Sequence, residues 1–143
     1  MNTQKKYYTE NVIKARRYLI AALLLAAAGA VYEFFSHGVY SNHMIYAFAY
    51  PLVMGCLPYL ADNRGIIKTA GPVGETLLMA LIATLSIGSV IKGVLEIYGT
   101  TSFLTAVYPV LGGMLLIGLA AVYFANSALS EAAGEATPQI LKP

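Results

Sequence analysis

Residues 18–35 read YLIAALLLAAAGAVYEFF, and their one charge, Glu33, stands almost at the end. At about 1.5 Å of rise per residue, a helix of this length approaches the roughly 30 Å hydrocarbon thickness of a bilayer. The run is continuous and rich in Ala and Leu. It lacks the alternation of a membrane barrel strand, in which segments of about ten residues switch between apolar and polar. A basic segment precedes it, as in a secretory signal. No small-residue cleavage pattern ends it, however, and three further apolar runs follow, so it reads as a retained membrane helix.

The further runs lie at 44–60, 73–98 and 103–129. SHGVYSNH at 36–43 and ADNRGIIKTAGP at 61–72 are polar loops, and GTTS at 99–102 is a short turn. The second run carries Pro51 and Pro58, which membrane helices tolerate when neighbours satisfy the freed carbonyls. Composition agrees with this division. Apolar residues make up 58% of the 143 and charged residues 11%, against about 25% charged in ordinary soluble domains. The expected fold is therefore an all-α integral membrane protein of four transmembrane helices. A basic segment at 1–17 leads the four-helix domain at 18–129. It reads as a tail or a short interfacial helix. A polar tail at 130–143, expected to be disordered, follows the domain.

Charge placement sets an expected orientation. Lys5, Lys6, Lys14, Arg16 and Arg17 precede the first span, Arg64 and Lys68 lie between the second and third, and Lys142 is in the tail. The stretches 36–43 and 99–102 contain no Lys or Arg. Basic residues concentrate on the cytoplasmic side of membrane proteins. Both termini and the middle loop are thus expected inside a plasma or inner cell membrane.

The two halves of the chain resemble each other. Glu33-Phe-Phe35 is followed by a loop and Tyr50-Pro-Leu-Val-Met-Gly55. Glu96-Ile-Tyr98 is followed by a shorter loop and Tyr108-Pro-Val-Leu-Gly-Gly113. Gly29 and Gly93 stand about one turn before each Glu. Two tandem helical hairpins inserted the same way would be related by a pseudo-two-fold axis along the membrane normal. The plainer reading is that a short turn favours Pro in the first turn of the helix after it.

Charges within a span are costly, so they are the first candidates for function. Lys92 and Glu96 are four residues apart on one helix and can pair. Glu33 has no basic residue near it in sequence. A Glu33–Lys92–Glu96 cluster toward the extracytoplasmic side is expected, with Tyr50 and Tyr108 as further ligand- or ion-binding candidates. Glu75 suits the start of the third helix, where a carboxylate meets the positive end of the helix dipole. His37 and His43 flank the first loop. Imidazole suits zinc, copper and iron, so a metal or haem site is a weaker expectation, although the six-residue spacing fits no common zinc pattern. Their other reading is as polar loop residues.

Other chemistry is excluded. The single cysteine, Cys56, can form no internal disulfide, redox pair or cysteine-rich zinc site. There is no phosphate-binding glycine loop, HExxH or GxSxG, and no basic patch interleaved with aromatics for nucleic acid. Trp is absent, while the 11 Tyr suit membrane interfaces. Two functions stay open: a small oligomeric transporter or channel, or a non-catalytic accessory subunit of a larger membrane complex. The expected partners are the lipid bilayer and either further copies or a larger membrane protein. Small residues such as Ala26, Gly88 and Gly112 allow close helix contact in either case.

Overall fold

The computed structural model describes residues 3–36, 38–61 and 71–136, and among these there is no strand. Four segments are long and apolar enough to cross a membrane: Tyr8–Phe34, Asn42–Ala61, Gly71–Ile97 and Phe103–Ala132. They occupy the positions of the four apolar runs.

The first helix, α1, is Thr3–Phe34 and continues unbroken through residue 17. The polar segment and the first apolar run therefore form one helix. No Gly or Pro occurs before Gly29, and Lys and Arg are good helix formers. The second span is irregular. A short α2 (Asn42–Ile45) is followed by a turn at 46–48, a π-helix (Tyr50–Cys56) and α3 (Leu57–Ala61). Pro51 opens the π-helix and has no N–H to give to the helical ladder. The ladder then widens, and the Leu57 N–H bonds Leu52 O, five residues back.

The third span is a single helix, α4 (Gly71–Ile97). Gly99, at φ +68°, ends it in the left-handed conformation that Gly adopts without penalty. The Gly99 and Thr100 amides bond Glu96 O at 3.1 Å and Leu95 O at 2.9 Å, which satisfies carbonyls of the last turn. The fourth span starts as a 3₁₀ turn, Phe103–Ala106, and continues as α5 (Val107–Ala136), past Leu129.

The spans pack in chain order. α1 lies on the π-helix and α3, α4 takes α2 and the π-helix on one side, and α5 packs chiefly on α4. The second and third spans are thus interior. A third of each apolar stretch is buried, against 6% in the fourth. Ala15, Cys56 and Tyr59 form a core between α1 and the second span, joined by Tyr18, Leu52 and Leu78. Glycines allow the closest approaches: Gly55 lies under the Tyr18 ring, Gly88 under Tyr108, and Gly29 and Gly93 both pack on Met44. Residues 38–41 and the turn at 98–102 mark the hairpin end. The starts of α1 and α4, joined by a Lys14–Glu75 ion pair, mark the opposite, terminal end.

Candidate functional site

Ser41, His43, Ser89, Lys92 and Glu96 gather toward the hairpin end. Ser41 has extended backbone and caps α2, its hydroxyl accepting from the Met44 N–H at 3.4 Å. The same hydroxyl donates to Glu96 Oε2 at 2.5 Å. His43, two residues on, sets its Nδ1 3.0 Å from Glu96 Oε1. From two helical turns nearer the middle of α4, Ser89 donates to His43 O at 2.7 Å. Ser41 is 1% exposed. With Met44 seated on Gly93, these bonds fix the start of the second span to α4.

Beside this anchor lies a cavity of about 350 Å³, lined among others by His43, Tyr50, Ser89, Lys92, Ser102 and Tyr108. It sits between the second and fourth spans with α4 as its floor. Pro51 places Tyr50 at the start of the π-helix, and Gly88 lets Tyr108 close onto α4.

Among the described residues, the ion pairs are Lys14–Glu75 and His43–Glu96. Lys92 therefore has no carboxylate within ion-pair distance, although Glu96 is near enough to act on it electrostatically. The charge that faces the cavity is that of Lys92, while the Glu96 carboxylate is turned to Ser41 and His43. Among the cavity's donors are ammonium, phenol and serine hydroxyls. Such a lining holds a small anion better than a cation, because it offers several hydrogens and no free carboxylate.

The structure thus brings Lys92, Tyr50, Tyr108 and His43 together, with Glu96 directly behind His43. Glu33 stays apart. Its Oε1 is buried without a hydrogen-bond partner, and it forms no ion pair with Lys92. His37 lies outside the described residues. Among the described residues, no group of three or more His, Cys, Asp or Glu is placed to hold a metal ion.

Ser41 and the hydroxyl of Ser89 are site residues that the sequence did not single out. Ser41 had a signal, since Ser ahead of a helix is a frequent cap. Ser89 read only as a small residue. The Lys14–Glu75 pair joins residues 61 positions apart, and no local pattern announces it. The chain matches no family model, no curated protein and no solved structure.

Proposed function

We propose that the protein is inserted in the cell membrane by its four spans, with both termini cytoplasmic. In this placement the cavity at the hairpin end is the extracytoplasmic site of a small oligomeric transporter or channel for anions. The observation that carries this reading is Lys92. A cation kept within an apolar span costs roughly 2.5–3.5 kcal/mol at the centre of a membrane. Here it lines a cavity with Tyr50, Tyr108 and Ser102, and among the described residues no acid lies within ion-pair distance of it. The clustering of Lys and Arg at the other end supports the orientation.

One match between the halves supports tandem hairpins: Ser41 and Ser102 each cap the first turn of the span that follows. Self-association is supported by the open row of spans. α1 and α5 are covered on few sides, so a sealed path needs more surface than one chain supplies.

Flux in proteoliposomes tests the proposal. Chloride, nitrate, phosphate and short carboxylates are offered alongside Na⁺ and K⁺. Passage of at least one anion is expected, reduced tenfold or more by Lys92→Gln. Cation flux alone, or flux indifferent to Lys92, would refute it.

The exposure of α5 also favours a second reading, an accessory subunit seated on a larger membrane protein. Leu116, Ile117 and Phe124 are more than half exposed. Mild-detergent isolation separates the two: a defined homo-oligomer supports the transporter, and a stoichiometric partner supports the subunit.

A further inference from the structure

The terminal end holds a second and larger space. α1 and α4 stand apart there, and the second span forms the floor between them. The resulting groove has a volume of about 670 Å³. On α1 it runs from Lys14 to Leu25 and on α4 from Pro72 to Ile87. These lengths correspond to about 16 Å and about 22 Å along the helices. With its charged end at the headgroups, such a groove reaches into one leaflet of a hydrocarbon core roughly 30 Å thick. Its open side is apolar and accessible, with Met79 59% and Ile87 54% exposed.

Polarity changes along this length. Lys14, Arg17 and Glu75 stand at the end near the start of α4, and the walls beyond are Ala21, Leu25, Met79 and Ala83. Lys14 is committed to Glu75 and lies 5.6 Å above the Tyr59 ring. Arg17 is exposed and enters no ion pair or hydrogen bond among the described residues. The groove thus has a net positive mouth, a free guanidinium and a mainly apolar trough, with the Ser86 hydroxyl buried in its wall.

We infer that this groove binds one anionic phospholipid of the cytoplasmic leaflet. The phosphate meets the Arg17 guanidinium, which suits it by charge and by its fork of donors. One acyl chain lies between α1 and α4 over the second span. This inference rests on the membrane placement proposed above and not on transport. The lipid fills the space beyond the Lys14–Glu75 pair, and so adds to the hold of α1 on α4. A zwitterionic lipid offers the same chain but cancels the charge that Arg17 selects.

The test uses the full chain in nanodiscs of phosphatidylglycerol and phosphatidylcholine. It is released gently, and native mass spectrometry counts the lipid retained. About one phosphatidylglycerol per chain is expected, in preference to phosphatidylcholine. Arg17→Gln should weaken retention roughly fivefold, the worth of one basic residue at an anionic surface. Ala83→Phe fills the trough from α4 and Ala21→Phe fills it from α1. Each should displace the lipid while circular dichroism stays unchanged. Two variants on opposite walls guard against one that fails to fold. Water-soluble glycerol phosphate should not compete, because it has no chain. Equal retention of the two lipids, competition by glycerol phosphate, or full retention in a folded Phe variant would overturn the inference. Anion flux is scored separately: its absence with lipid still bound removes the transport reading alone, and failure to enter nanodiscs removes both.

Discussion

The second and fourth spans begin alike and end in different surroundings. Each is capped by a Ser, Ser41 or Ser102, and each carries Tyr-Pro-x-x-x-Gly. In the second span Pro51 is buried, the helix widens into a π-turn, Gly55 lies beneath Tyr18, and Cys56 and Tyr59 enter the core. In the fourth span Pro109 lies in the first turn of a regular α-helix, and Gly113 meets nothing within 4 Å. The difference is one of neighbours. The second span is held between α1 and α4, while the fourth leans chiefly on α4. The motif sets a local turn, and the packing around it decides how much each residue contributes.

The two motif glycines give the sharpest way to break this comparison. A Cβ at Gly55 would overlap the near atoms of the Tyr18 side chain. Tyr18 cannot yield freely, because its ring stacks on Tyr59 at 5.8 Å. Gly55→Ala should therefore destabilise by about 1–3 kcal/mol, the usual cost of overpacking. Gly113→Ala meets open space and replaces Gly in a helix interior, so it should be neutral or stabilising by up to about 1 kcal/mol. Thermal unfolding of both in one detergent checks this. Shifts of the same sign and size would mean that the interior and exterior positions are equivalent.

The two caps come next. Ser41 satisfies the start of α2 and also the Glu96 carboxylate, and it is 1% exposed. Ser41→Ala should cost about 1–2 kcal/mol, at the upper end for a lost cap, because the Glu96 carboxylate also loses a donor. Ser102 is only partly buried, and its hydroxyl accepts from the Leu104 N–H at 3.3 Å. Ser102→Ala should cost about 0.5 kcal/mol, the low end of the same range. The pair of melting temperatures decides whether Ser41 contributes more than its counterpart.

The same contrast explains what the sequence could reveal. A run of about twenty apolar residues declares a span through its own composition, so the four segments were legible without any tertiary contact. Pro51 and Pro58 were visible as disturbances, but the π-helix depends on where the ladder resumes, which neighbours decide. Tyr50 and Tyr108 drew attention as a repeated pair, and the fold brings both to one cavity with Lys92. The expected partnership of Lys92 with Glu33 is not formed, because residues 59 positions apart in sequence are placed by packing that no local pattern records. His43 was weighed with His37 as a metal ligand, and the described structure gives it Glu96 instead.

Each of these spans also faces a lysine, and the two lysines differ in kind. Lys14 lies over Tyr59 of the second span and pairs with Glu75, both side chains being about one-third exposed. Such a half-exposed pair is worth about 0–1 kcal/mol, and Lys14→Gln should lower stability within that range.

Lys92 shares its cavity with Tyr108 of the fourth span and has no ion-pair partner to lose. Its replacement by Gln should move stability by less than about 0.5 kcal/mol, the usual span for a site away from the core. A residue that holds a fold together shows its value in the melting curve. One that faces a cavity shows it in what the cavity binds. Melting and anion flux measured on the same Lys92→Gln preparation distinguish the two roles. An unchanged melting temperature with lost flux assigns Lys92 to the site. A large drop in melting temperature would instead make it a structural residue facing the exterior span, comparable to Lys14, which faces the interior one.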